Sequence, residues 1–426
     1  MNRLKPRHGL IAGLLILGCL LTAGTAAGMD YTLFIFGNAN EDQNIDRKDI
    51  ELLEGIIAGK AAPTKLADAN HDGKVDRADI EQVEKILNGS AAEIVVQDAY
   101  GQAVTVKTPV GRIVSLDQMI AENAQVLGLG AKVVGVDQKT ADRTIIHPEI
   151  SRQANVGSSD EPDIERIVSL QPGLVAGIQY FDETLIKKME SAKLRPLAMI
   201  FHGDIQNSLG YSKLLGYLAG SPASANEYIE WMSGILDGIH NKISTIPYEE
   251  RTKVIYLYPR KNGALGSGGN SCPTIRALQY LGANTMTDNT RDSKGAMMDA
   301  ASYFEIDPEV VIQKNPAAIV MEDFDTALGY GFKDPAAARG VLDAVKTRPG
   351  FGGLDAVKNN KVFLLDVNVV SHSNCLGAIY MAKALYPELL KDVDPYAIHQ
   401  EYVDRFLKLS KFDIKKDGIF IYPPVE

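Results

Sequence analysis

The strongest constraint on this chain is an internal repeat. Residues 38–59 (NANEDQNIDRKDIELLEGIIAG) and 68–89 (DANHDGKVDRADIEQVEKILNG) align at a constant offset of 30. Oxygen-bearing side chains recur at loop positions 1, 3, 5, 9 and 12. They are Asn38, Asn40, Asp42, Asp46 and Asp49 in the first copy, and Asp68, Asn70, Asp72, Asp76 and Asp79 in the second. Position 7, Asn44 or Lys74, is expected to contribute a backbone carbonyl. Ca²⁺ is a hard cation that takes about six to eight oxygens, and a 12-residue loop supplies them from these positions. After each loop the apolar pattern turns helical, through Leu53, Ile56 and Ile57 or Val83, Ile86 and Leu87, and Gly59 and Gly89 are the expected stops. Residues 38–89 carry twelve acids against seven bases, a net −5 that two Ca²⁺ ions bring to −1. So small a segment has little core to resist carboxylate repulsion, and it is expected to fold only with calcium.

This duplicated loop and helix resembles a dockerin domain, the extracellular module that binds cohesin domains. Asp at position 12, where a typical EF-hand has Glu, agrees with that resemblance. Gln43 stands where the second loop has the turn residue Gly73. Loop positions 10 and 11, which help choose the partner in the family, are Arg47-Lys48 and Arg77-Ala78, an unusual basic pair. The resemblance implies two Ca²⁺ sites and a cohesin-bearing partner.

Of the 426 residues, positions 1–27 read as a secretory signal, with Arg3, Lys5 and Arg7 ahead of an apolar run Gly9–Leu21 and small residues Thr22–Ala27. A lipid anchor at Cys19 is the alternative to cleavage near Ala27 or Gly28, the reading favoured by the small residues there. Removing the signal takes the formal charge from −10 to −13. So acidic a chain lacks the basic footprint of sequence-independent nucleic-acid binding. No later stretch has the length of a membrane span. Cys272 and Cys375 either form one disulfide in an oxidising compartment or remain two buried thiols.

Beyond residue 92 the pattern changes. Short apolar runs at Ile113–Leu116, Val133–Val136, Leu174–Ile178, Leu197–Phe201, Val254–Tyr258, Ile319–Met321 and Val362–Leu365 alternate with helical patterns, which predicts α/β units with largely parallel sheets. A second repeat relates Glu165-Arg-Ile-Val-Ser-Leu-Gln-Pro172 to Glu309-Val-Val-Ile-Gln-Lys-Asn-Pro316: in each, Glu precedes by seven residues a Pro that ends an amphipathic helix. Between the two halves, Ile229, Met232, Leu236, Ile239 and Ile243 share one helical face over Pro222–Ile243. At 1.5 Å per residue this helix spans about 33 Å, enough to act as a strut between two lobes. A buried core helix is the plainer alternative.

Arg112-Ile-Val-Ser-Leu, Leu127-Gly-Leu-Gly, Val134-Gly-Val, the run Pro162–Pro172 and the strut together resemble class III substrate-binding proteins of ABC importers, which serve iron-siderophore, haem and cobalamin uptake. The resemblance covers roughly 93–426 and implies a two-lobed α/β fold bridged by a long helix. It implies an extracytoplasmic solute receptor that is not an enzyme. In that family one Glu on each lobe docks to the permease, and the Glu-to-Pro spacing assigns these to Glu165 and Glu309. The expected organisation is a signal at 1–27, a small all-α calcium module at 36–90, an N-terminal lobe at 93–221, the bridging helix at 222–246 and a C-terminal lobe at 247–426.

Ligands of α/β lobes bind outside the carboxyl ends of the strands. That rule nominates Tyr180, His202, Arg260, Ser271, Tyr330, Ser371 and His372, with Arg260 for an anionic chelate and the tyrosines for stacking. The chain has no Gly-x-Ser-x-Gly elbow and no His-Glu-x-x-His pair. Since dockerin-like modules often accompany hydrolases, an esterase or glycosidase is the runner-up, with a tethered structural surface protein third.

Overall fold

The structure is a computed structural model and describes residues 31–178, 181, 183–199, 205–260, 262–270, 272–286, 303–324, 326–370 and 375–425. The signal-like residues 1–27 lie outside that set. Among the described residues no helix is long and apolar enough to cross a membrane.

The repeat folds as written. Helices Arg47–Ile57 and Arg77–Leu87 each begin at an Asp N-cap, Asp46 or Asp76, closed into a capping box by Asp49 or Asp79. Gly59 and Gly89 adopt φ of 70° and 71° just past the helix ends, a left-handed conformation that costs glycine nothing. A hairpin of strands Glu93–Gln97 and Ala103–Lys107 follows.

The N-terminal lobe is a five-stranded parallel sheet. Its spatial order is Ala154–Asn155, Val133–Val136, Ile113–Ser115, Leu174–Ile178 and Pro196–Met199. The chain leaves Ile113–Ser115 toward one side and later returns to the other, so a switch point lies at that strand's carboxyl end. The C-terminal lobe is a second, separate sheet of seven strands. Its core strands Lys253–Pro259, Ala318–Asp323 and Val362–Asp366 are parallel. Leu265–Ser267, Phe304–Ile306 and Ile421–Tyr422 add to it antiparallel, so this sheet is mixed at its edges. Cys272 and Cys375 are buried free thiols, which decides that open question.

Helix Pro222–Ser244 joins the lobes with Pro at its first turn, where the missing N–H costs nothing. Its face of Ala225, Tyr228, Ile229, Met232, Leu236, Ile239 and Ile243 is buried. The strut and the core helix are therefore one object. Two helices near the C-terminus share the bridge: Leu376–Leu385 packs on it, and Pro395–Arg405 brings Tyr402 to stack on Trp231 at 6.4 Å. Tyr402 also donates a hydrogen bond of 2.6 Å to buried Glu122 in the N-terminal lobe, and Gln125 donates one of 2.7 Å to the Leu407 carbonyl. The end of the chain thus recrosses between the lobes.

Leu236 is 0% exposed in this face, and Leu236→Ala is expected to lower the unfolding free energy by about 2–5 kcal/mol in a urea titration. Gly238 lies on the exposed side of the same helix with open space around a built Cβ; Gly238→Ala is expected to raise stability by about 0.5–1 kcal/mol in the same experiment.

Candidate functional site: an interlobe cleft and two oxygen-lined loops

A cleft of 840 Å³ opens between the lobes. Its walls come from the carboxyl ends of strands in both sheets. The N-terminal lobe contributes Gln118, just past Ile113–Ser115, and Lys139, Asp142, Arg143 and residues 144–146, past Val133–Val136; the C-terminal lobe contributes Tyr258, Phe324, Tyr330, Val367 and Asn368.

The charged groups of the cleft, Lys139, Asp142 and Arg143, sit on and just past one short helix. Asp137, 1% exposed at the end of strand Val133–Val136, caps the short helix Gln138–Asp142 by accepting the backbone N–H groups of Lys139 and Thr140. This aims Lys139 and Arg143 at the opening. Arg143 Nη2 reaches across to Asn368 Oδ1 at 2.5 Å, and Asn368 Nδ2 is in turn held by Asp366 at 2.8 Å. Opposite stands an aromatic wall in which the Tyr258 ring meets Tyr303 and Phe324 edge-on at 5.7 and 6.0 Å. Tyr303, Phe324 and Ile145 are 37%, 47% and 45% exposed although large and apolar, which marks a surface meant to be covered.

Tyr330 lies in the cleft as the sequence predicts, but its hydroxyl is committed inward to His399 Nε2 at 2.7 Å. Burial pushes His399 down to about 3, so its imidazole is neutral and its other nitrogen pairs with Tyr380 at 3.1 Å. Tyr330 therefore offers the cleft its ring rather than a free hydroxyl. Arg260 is not among the residues that line the cleft: it lies 3.6 Å from Glu305 and donates to the hydroxyl of the cleft residue Tyr258 at 3.3 Å. Tyr180, His202, Ser271, Ser371 and His372 lie outside the described residues. The residues missed by sequence reasoning are Lys139 and Arg143. They follow a strand end as directly as the predicted loops do, so the same rule applied after Val133–Val136 finds them.

Glu165 and Glu309 are exposed first-turn residues of helices Ile164–Ser169 and Pro308–Lys314, one per lobe. The repeat extends to details: Asp163 and Asp307 cap the two helices, and Gln171 and Asn315, each just before the proline, take φ of 48° and 40°. Val168 and Ile312, three residues beyond each Glu, are both exposed aliphatics.

The two loops share their internal hydrogen bonds. Asp42 and Asp72 N–H groups donate to Asn40 and Asn70 Oδ1 at 3.0 and 2.9 Å, and the next matched pair is Asn44 and Lys74 N–H to Asp42 and Asp72 Oδ1 at 2.7 and 3.0 Å. Asp49 and Asp79 each receive the N–H of the position-9 aspartate at 2.8 Å. Among the described residues no three His, Cys, Asp or Glu side chains form a ready metal group, so the loops offer an oxygen cradle to which Asn side chains and backbone carbonyls must contribute. Calcium fits that cradle. Asn38 is fully buried at position 1, with both donor bonds made and its Oδ1 left without a partner. Burial first, then the neighbouring Asp42 and Asp46 charges, push the Asp49 carboxyl up to about 6, a cost that a cation in the loop relieves.

With this geometry in view, the fold and the cleft define a two-lobed receptor that encloses a solute between α/β halves. The chain belongs to the periplasmic binding protein family, whose model matches residues 113–369, and a dockerin type I domain model matches residues 37–88. An uncharacterized ABC transporter substrate-binding lipoprotein, YvrC of Bacillus subtilis, is 26% identical over 70% of this chain and 87% of its own length. The molybdate-binding protein MolA of Haemophilus influenzae is 22% identical over 74% of this chain and 91% of its own. The crystal structure of the TroA-like periplasmic binding protein FepB from Veillonella parvula superposes with a TM-score of 0.62 at 20% identity, covering 77% of this chain and 98% of that one. The matched periplasmic family and these relatives are binding proteins.

Asp117, the cap of the helix that begins with the cleft residue Gln118, provides a pH test. It is buried beside the Asp137 charge, and desolvation pushes its carboxyl from 3.8 up to about 7. The folded state therefore holds a proton that the unfolded chain releases, and stability falls as pH rises from about 4 to about 7. Asp117→Asn still accepts the Met119 N–H and is expected to flatten that slope in thermal unfolding across the same window.

Proposed function

We propose that this protein is an extracytoplasmic receptor for a metal chelate of the iron-siderophore, haem or cobalamin kind, which it delivers to an ABC permease. The observation that carries this reading is the cleft itself: Lys139 and Arg143 on one lobe face Tyr258, Tyr303 and Phe324 on the other. Cations over an aromatic wall suit a ligand that carries both carboxylates and a flat conjugated surface. A volume of 840 Å³ suits a chelate better than a small oxyanion such as molybdate, which needs a tight polar cage.

Delivery is assigned to Glu165 and Glu309. Two exposed carboxylates, one per lobe, engage cationic groups of a permease at two points, and the adjoining Val168 and Ile312 add apolar contact at each. The dockerin-like module, with one Ca²⁺ in each loop, attaches the receptor to a cohesin-bearing partner at the cell surface. In it Asn38, Asn40, Asp42, Asp46 and Asp49, and Asp68, Asn70, Asp72, Asp76 and Asp79, hold the ions, with the carbonyls of Asn44 and Lys74.

Native mass spectrometry with ferric siderophores, haem, cobalamin and molybdate tests the solute class. A chelate is expected to bind and molybdate is not; binding of molybdate alone overturns the reading. Arg143→Ala is expected to weaken chelate binding at least about tenfold, the value of one charge-assisted hydrogen bond. The Glu165→Ala/Glu309→Ala double variant is expected to bind solute normally yet fail to stimulate permease ATPase activity in proteoliposomes.

A further inference from the structure

The two loops are twins in sequence but not in surroundings. The second is more open and touches the segment before it rather than the lobe: Asp72, Lys74 and Asp76 are exposed, Val75 is only half-buried, and the His71 ring meets Phe36 edge-on at 4.7 Å. The first is seated on the receptor. Its Ile45 is 4% exposed, and the surface it meets is helix Ile205–Leu218 of the N-terminal lobe.

The contact between them is specific. Lys213, 5% exposed on that helix, donates from Nζ to Asn44 Oδ1 at 2.6 Å and faces the charge of Asp42. One turn on, Tyr217 hydrogen-bonds the backbone of Ile45. Toward the other end the helix presents Gly210, where an added Cβ would lie 3.0 Å from Tyr31 Cδ2 and 3.4 Å from the Thr32 carbonyl, so the glycine lets the segment approach a few tenths of an ångström closer than a side chain would. The Tyr211 ring meets Phe34 at 5.9 Å.

The segment that lies on the helix, residues 31–37, is itself held by the first loop. Leu33 donates its N–H to the Asp42 carbonyl at 2.9 Å, and Thr32 Oγ1 donates to the Glu41 carbonyl at 2.9 Å. Asn38 Nδ2 ties the Leu33 and Asp42 carbonyls together, at 2.8 and 2.6 Å. Asn38 is thus bonded to the tether through its nitrogen while its buried oxygen, without a partner, is left for the ion. The far side of the tether is stitched to the hairpin, with the Phe36 N–H on the Val95 carbonyl and the Gln97 N–H on the Phe34 carbonyl.

We propose that the first loop is a calcium-dependent joint: the ion that orders Asn38–Asp49 also fixes the module onto helix Ile205–Leu218 of the receptor lobe, while the second loop binds its ion without consequence for the lobe. This rests on the calcium reading of the loops given above. The module is then a fixed part of the receptor rather than a hinged appendage, and calcium in the medium sets the rigidity of a lobe that borders the solute cleft.

Hydrogen–deuterium exchange on the full chain, in calcium and in excess EGTA, tests this, with native mass spectrometry counting bound ions. Withdrawing calcium is expected to speed exchange in helix Ile205–Leu218 about tenfold, along with the loops. That response is expected to survive in Asp68→Ala/Asp72→Ala and to vanish in Asn38→Ala/Asp42→Ala, where the helix exchanges fast in both media. Lys213→Met is expected to retain both ions but to shrink the response of the helix. Unchanged protection of the helix while the first-loop amides respond overturns the joint. A count of one ion that the Asp68→Ala/Asp72→Ala variant abolishes overturns calcium binding by the first loop, and the joint falls with it.

Discussion

Everything in this receptor depends on the apolar face of one helix. Met232, Leu236, Ile239 and Ile243 of the bridge are buried over its length, and the clasp of Trp231, Tyr402 and Phe406 locks the returning C-terminal helix onto it. Close-packed interiors do not deform continuously. The two sheets therefore stand at one separation, with the carboxyl ends of their strands converging on one cleft. Crosslinks such as Tyr402 to Glu122 add polar bonds that a wide opening would break. On the proposed reading, capture relies on small adjustments of the rim rather than on the large hinge closure of two lobes joined by flexible strands.

On this frame, chemistry is placed by position rather than abundance. The chain is acidic overall, at −10, yet the cleft gathers Lys139 and Arg143 against the single acid Asp142, on and beside the short helix that buried Asp137 caps. Exposed apolar side chains are placed as selectively. Of the nine large ones among the described residues, Ile145, Tyr303 and Phe324 border the cleft, Val168 and Ile312 lie one turn beyond the matched Glu165 and Glu309, and Ile57 and Leu87 end the helices of the repeat. An exposed apolar group costs little singly, but its recurrence at symmetry-related positions marks surfaces that meet something.

The module repeats the lesson at a smaller scale. Two loops of the same pattern fold to the same capping boxes and the same turn geometry, because local hydrogen bonding decides those features. Only one of them meets the lobe. Gly73 takes φ of 89° in the second loop, whereas Gln43 stands at that place in the first, beside a position 1 that is Asn38 rather than an aspartate. The differences that look like losses in the sequence fall in the copy that has a neighbour.

Much was legible in advance for a plain reason: periodicity and repeats are local. The apolar runs became the strands, the Pro222 segment became the bridge, Gly59 and Gly89 ended their helices, and the Glu-to-Pro spacing gave two matched, exposed glutamates. What escaped was whatever depends on contacts between residues far apart in the chain. Arg143 meets Asn368 over 225 positions, Lys213 meets Asn44 over 169, and Arg260 pairs with Glu305 and the Tyr258 hydroxyl instead of lining the cleft. The sequence by itself determined the elements, the two lobes and the oxygen-lined loops, since each is set by neighbours within a turn or a strand. Which cation faces the cleft, which tyrosine keeps its hydroxyl and which loop carries the lobe were decided only when packing brought distant segments together.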